Sequence, residues 1–214
     1  MPDIEMRTFT SLWDFAATLA GVFRGPTFLG TFRRMEGRFR EGVILAHSIT
    51  NNCGLCTRAH SAWGMSLGLT RADIDRLVAL KKIDFTEREW LAFNYARKFA
   101  ILRGREPRGP EIFAFSKAYS RKERADIKKI LRMMKLANYT ATLILGEPFR
   151  AELSPGRDFS RSGLLGRFAP ALKEAAVRAL ELRERDAPPA AVIPLSYRRN
   201  KRSASSRDLS AAAT

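Results

Sequence analysis

The stretch that decides the fold is REGVILAHSITNNCGLCTRAH, residues 40–60. In its first half Val43, Ile44, Ala46 and Ile49 recur at the 3.6-residue period of an amphipathic helix that extends back to residue 38. Asn51-Asn52 breaks the pattern. Helical spacing resumes over 53–67, with Gly68 as the C-terminal cap. Helix, tight turn, helix is therefore the expected unit.

The same period runs outward in both directions. Upstream, Leu12, Trp13, Phe15, Ala16, Leu19 and Phe23 follow i, i+3, i+4, i+7 spacing until Gly25-Pro26, and a shorter helix is expected over 26–36, ended by Gly37. Downstream, Thr70 with Asp73, Thr86 with Glu89, and Ser120 with Glu123 each read as an N-cap with an acidic residue three positions on. They open helices over 71–80, from 87 to about 102, and from 121 to about 145, the last closed by Gly146 and Pro148. Residues 104–109 read as a turn-rich connection and 110–119 as a short helix. No run of alternating β-branched residues demands a strand, so the fold class is all-α. The division expected is a helical domain over 1–150, a linker and additional helix over 151–189, and a basic, disordered tail over 190–214.

Composition limits the function classes. The chain has 214 residues, 45% of them hydrophobic, enough for a sizeable core. Two cysteines exclude a multi-disulfide secreted scaffold. Apolar runs fall short of the ~20 residues that span a bilayer. Asp3 and Glu5 sit where a signal peptide is basic, so a cytoplasmic protein without membrane partners is expected. The net charge is +16, divided as +10 over residues 1–152 (26 basic, 16 acidic) and +6 over 153–214 (12 basic, 6 acidic). It is densest from Lys117 to Lys135 and at Arg198, Arg199, Lys201 and Arg202. Weak, non-specific attraction to polyanions follows from such charge. No nucleic-acid-binding motif accompanies it.

The reactive groups are concentrated in the opening stretch: Glu41, eleven residues, Cys53, two residues, Cys56, three residues, His60. On one helix Cys56 and His60 are an i, i+4 pair and share a face, while Cys53 and Cys56 are an i, i+3 pair. A helix N-terminus favours a thiolate. Glu41 lies on the preceding helix, and the Asn51-Asn52 turn can fold it back toward the thiols. Carboxylate, imidazole and two thiols in one place can move protons while a thiolate attacks. Three other readings stand beside this one. The cysteines can be packed and inert. They can be half of a zinc site, completed by His47 and His60 in an unusual Hx5CxxCx3H spacing. A thioredoxin-like dithiol is the third, although that motif follows a strand. His47 itself reads as structural.

On these residues the chain resembles the alkylhydroperoxidase D-like proteins of the carboxymuconolactone decarboxylase superfamily. Glu41-x11-Cys53-x2-Cys56-x3-His60 matches their signature, over a similarity extending through roughly residues 20–150. The resemblance implies a multi-helix bundle of that type, here with a C-terminal extension, assembled as a homo-oligomer (a trimer or a multiple). It implies an antioxidant peroxidase, an oxidoreductase that needs neither metal nor organic cofactor. In that scheme Cys56 attacks the hydroperoxide, Cys53 resolves the product as a redox-active disulfide, and Glu41 and His60 relay the proton. The implied partners are a hydroperoxide and a thiol or disulfide reductant protein or small dithiol. Leu55 departs from the pattern, since the narrower branch has histidine directly before its second cysteine. A different class of function on the same fold is a non-enzymatic redox-sensing or interaction protein with a basic surface.

Overall fold

The computed structural model describes residues 4–146, 148–149 and 178. These form eight helices: α1 Leu12–Val22, α2 Phe28–Arg34, α3 Gly37–Thr50, α4 Gly54–Ser66, α5 Arg71–Ala79, α6 Glu87–Ile101, α7 Pro110–Ala118 and α8 Arg121–Leu145. A 3₁₀ turn, Lys82–Asp84, links α5 to α6, and no strand occurs among the described residues. The fold is all-α, as the periodicity indicated. The linker with its additional helix (151–189) and the basic tail (190–214) lie outside the described residues, apart from Arg178.

Three helix starts are capping boxes. At Thr70/Asp73, Thr86/Glu89 and Ser120/Glu123 the N-cap hydroxyl accepts from the N3 amide, and the N3 carboxylate accepts from the N-cap amide. The α3–α4 turn is closed by Asn52 in the left-handed region (φ 48°), which asparagine tolerates better than most residues. Gly146 (φ 61°) ends α8 in the same conformation.

The centre of the molecule is α3. Twelve of its fourteen residues are buried, and it packs against α4, α5, α6 and α8. Phe39, Val43, Ile44, Leu45 and Ile49 meet Phe93, Ala96 and Phe99 of α6 and Ile127, Ile130 and Leu131 of α8 in one apolar core. Because α3 is covered on every side, its polar residues are buried too. Arg38 pairs with Asp73 of α5 at 3.1 Å, and Glu41, His47 and Ser48 point into the interfaces with α4 and α8.

The α1 stripe does not face this core. Leu12, Trp13 and Phe23 are 88%, 81% and 79% exposed, and Thr18 is the one buried residue of the helix. α1 docks on α8 through its polar side instead. Asp14 binds Lys135 at 2.8 Å, and Lys129 donates to the Val22 carbonyl at the C-terminal end. Periodicity identified a helix here, but the side it buries was set by its charges.

Gly64 lets α4 approach α3. A methyl at this position would overlap Leu69 Cδ1, which is fully buried, and lie 3.5 Å from Glu41 Cβ. Gly64→Ala is expected to destabilise the fold by about 1–3 kcal/mol through overpacking. The urea midpoint should fall while the slope of the transition stays constant.

Candidate active site

The two cysteines begin α4. Cys53 is its N-cap, with no side-chain hydrogen bond closing the cap, and Cys56 occupies N3. Both cysteines are free thiols. The Cys56 thiol donates to Cys53 and thereby depresses the proton affinity of Cys53, outweighing the opposing effect of burial. The Cys56 amide, Thr142 of α8 and the positive charge of Arg58 act in the same direction. Cys56 moves the other way. Holding the shared proton beside Cys53, and buried as well, it is pushed well above the ordinary thiol value of 9.0. The pair therefore behaves as one unit with one readily lost proton. Cys53 is 1% exposed and Cys56 7%, so both residues are buried.

Glu41 and His60 meet across the α3–α4 interface, with Oε2 and Nδ1 2.7 Å apart. The other Glu41 oxygen accepts from Arg40 Nε at 3.1 Å, and the Arg40 guanidinium lies 4.1 Å from the centre of the Phe32 ring. A carboxylate beside Nδ1 fixes the proton of a neutral imidazole on that atom and leaves Nε2 as the basic nitrogen. Trp63 stacks edge-on against the ring at 5.0 Å. His60 lies one helical turn beyond Cys56 on the same face of α4. The structure thus forms two pairs from the four residues the spacing singled out, Cys53 with Cys56 and Glu41 with His60. No direct hydrogen bond joins one pair to the other among the described residues.

A third group had no role assigned from sequence. Asn138 interrupts the buried apolar face of α8 and enters a polar cluster with His47, Ser48 and Asn51. Its Oδ1 accepts from Asn51 Nδ2 at 3.1 Å and lies 3.2 Å from His47 Nδ1. With its oxygen so occupied, the amide nitrogen is directed to Ser48 Oγ, at 3.2 Å, and to Cys56. That contact opposes the upward push on the Cys56 thiol. The signal available in the sequence was a lone amide between Met134 and Ala141 on the buried side of the helix.

His47 is fully buried against α8. It faces Asn138 and not the thiols, and His60 faces Glu41, so neither histidine completes a set with the cysteines. Among the described residues no three His, Cys, Asp or Glu side chains converge to hold a metal ion. No described helix is long and apolar enough to cross a membrane.

The site is closed from one side by the segment after α8. Pro148 pairs with Cys53 as an isolated antiparallel bridge, and the Phe149 amide donates to the Asn52 carbonyl at 3.2 Å. On the other side Leu55, between the two cysteines, forms the wall of an apolar cleft of about 690 Å³ with Val22, Met133, Ala137, Ala141 and Leu145.

No family model, curated protein or solved structure matches the chain. What the fold and the site define is a class by geometry: an all-helical protein with a buried dithiol at a helix N-terminus and a carboxylate–imidazole pair one turn along.

Burial holds His47 neutral, lowering its pKa from 6.5 to about 3. The unfolded chain therefore binds a proton near pH 6.5 that the native protein refuses until about pH 3. Between these values stability is expected to fall as pH falls, with a slope approaching one proton. His47→Gln should flatten that part of the profile, read by urea unfolding from pH 7 to pH 4.

Proposed function

We propose that the protein is a thiol-dependent peroxidase of the alkylhydroperoxidase D-like kind, cycling between a Cys53–Cys56 dithiol and disulfide. The observation that carries this reading is the placement of two free thiols at the start of α4 with His60, held by Glu41 of α3, one turn further along the same helix. Inert packed cysteines need no such neighbours.

On this reading the Cys56 proton passes to His60 Nε2 as a hydroperoxide enters, and Glu41 stabilises the imidazolium through Nδ1–H. The Cys56 thiolate attacks the terminal oxygen of the O–O bond. It becomes a sulfenic acid, and the leaving alkoxide takes the proton from His60 to depart as an alcohol. Cys53 then attacks the Cys56 sulfur, water leaves, and the disulfide forms. An external dithiol reduces that disulfide by two exchange steps and is itself oxidised to a disulfide. Attack is assigned to Cys56 on the resemblance and on its place on the face of His60, although the proton sharing between the thiols makes Cys53 the readier thiolate. The apolar cleft behind Leu55 suits a hydroperoxide with a hydrocarbon body. A reducing, cytoplasmic compartment fits the requirement that the dithiol be regenerated. The homo-oligomer implied by the resemblance belongs to the same proposal.

Burial of Cys53 and its bridge to Pro148 favour a second reading, a redox sensor in which disulfide formation disturbs the segment after α8. A protein whose thiols oxidise once, without turnover under any dithiol, would support it against the enzyme.

The deciding experiment is peroxide consumption with a generic dithiol as reductant. Cys56→Ser is expected to abolish turnover, and full activity in that variant removes Cys56 from the attacking role. Cys53→Ser should stop at a Cys56 sulfenic acid that a dimedone reagent traps. Glu41→Gln, if folded, should lose about 100-fold in rate.

The coupling between the thiols gives a second check. Cys53 is the main reason that Cys56 holds its proton. In Cys53→Ser the alkylation of Cys56 should therefore begin at lower pH than its alkylation in the native dithiol. Rates measured against pH by mass spectrometry read this directly.

A further inference from the structure

A second concave site lies away from the dithiol. It is formed by one flank of α1, the turn over 103–106 at the end of α6, and the outward side of α8. Its volume is about 570 Å³, within the range of small-molecule pockets. Five cations line it, Arg24, Arg103, Arg105, Arg132 and Lys135, against two carboxylates, Asp14 and Glu106, for a net local charge of +3.

Both carboxylates are already engaged. Asp14 accepts from Lys135 and from the Thr10 amide. Glu106 binds Lys128 at 2.6 Å and the Tyr95 hydroxyl at 3.0 Å, and it lies 3.9 Å from Arg132. Arg24 and Arg105 have no ion-pair partner among the described residues. Arg105 donates only to the Leu102 carbonyl. Arg103 is held in place by the Thr8 carbonyl and the face of Tyr139. Like charges gathered in a concave wall raise the local potential and attract an anion of matching size. Arginine forks match the tetrahedral oxygens of a phosphate, which offers several acceptors at once. Trp13, 81% exposed, also lines the groove. Clustered cations beside an exposed aromatic ring fit a ligand with a phosphate at one end and a flat or apolar body at the other.

We propose that this groove binds a phosphomonoester carrying an aromatic or apolar group. The two sources of such chemistry are a soluble organic phosphate and a lipid headgroup. The site is independent of the dithiol, and Cys56→Ser leaves it intact.

Titration of the full chain with phenyl phosphate, followed by calorimetry and tryptophan fluorescence, tests the proposal. Saturable binding of one phenyl phosphate per chain is expected, with phenol binding at least tenfold more weakly. Arg24→Gln with Arg105→Gln removes two cations that hold no carboxylate, so the fold is retained and affinity should drop tenfold or more. Lys117→Gln with Lys122→Gln removes the same charge elsewhere and should leave affinity within about twofold. Trp13→Phe should abolish the fluorescence change. Absence of saturable binding, or equal weakening in the two charge-matched pairs, overturns the proposal. Phosphatidylcholine vesicles carrying phosphatidic acid separate the sources. Co-sedimentation that phenyl phosphate competes away assigns the groove to a lipid headgroup, and binding of phenyl phosphate alone assigns it to a soluble ester.

Discussion

The burial of α3 governs the rest of the structure. A helix surrounded by four others has no solvent-facing side on which to keep polar residues, yet α3 carries Arg38, Glu41, His47, Ser48 and Thr50. Each of these brings a desolvation cost that a partner must offset. Asp73 answers Arg38 from α5, His60 and Arg40 answer Glu41, Asn138 meets His47 and Ser48 from α8, and Thr50 turns its hydroxyl back to the Ala46 carbonyl. The surrounding helices are therefore fixed against α3 in rotation as well as in distance. An apolar core tolerates small slippage between helices, whereas these directional contacts do not.

This constraint also shapes the site. The carboxylate of Glu41 is buried and oriented before any ligand arrives, because Arg40 holds one oxygen and His60 the other. The Asn138 amide is oriented in the same way, its oxygen occupied by Asn51 and His47, so that its nitrogen is presented toward Cys56. Two independently anchored groups thus face α4, Glu41 of α3 at His60 and Asn138 of α8 nearer the helix start. The thiols are placed by the same turn, Cys53 as the N-cap of α4 and Cys56 in its first turn. Preorganisation of this kind is useful where charge must be stabilised at a set position, and it costs no rearrangement at the moment of reaction.

Local rules made much of this legible in advance. Capping boxes depend on four consecutive residues, and the boxes at Thr70, Thr86 and Ser120 formed where the sequence placed them. The spacing of Cys53, Cys56 and His60 along one helix is equally local. The Glu41–His60 contact was legible because a short turn joins the two helices that carry it. Asn138 was not, since it lies more than eighty residues from its partners and nothing local to α8 says which residue its amide will face. The orientation of α1 was hidden for a related reason. Its apolar period reports that a helix forms, but the choice of buried side depends on Lys129 and Lys135, a hundred residues away. The 3₁₀ turn at Lys82–Asp84 carries no apolar period at all.

The positive charge takes on a different meaning in this light. Of the eight cations between Lys117 and Lys135, five hold specific groups. Arg124 caps carbonyls at Ser116 and Tyr119, Lys128 and Arg132 reach Glu106, Lys129 takes the Val22 carbonyl, and Lys135 takes Asp14. The segment that looks like a basic patch in one dimension is thus largely a set of anchors tying α1, α7 and the turn over 103–106 to α8. Such anchoring leaves an imbalance behind it, because the carboxylates it consumes are few. Asp14 and Glu106 each satisfy more than one donor, and the arginines beside them are left facing a concave surface. The excess charge along the described residues is therefore sorted by the fold into cations that build the structure and cations that face the groove.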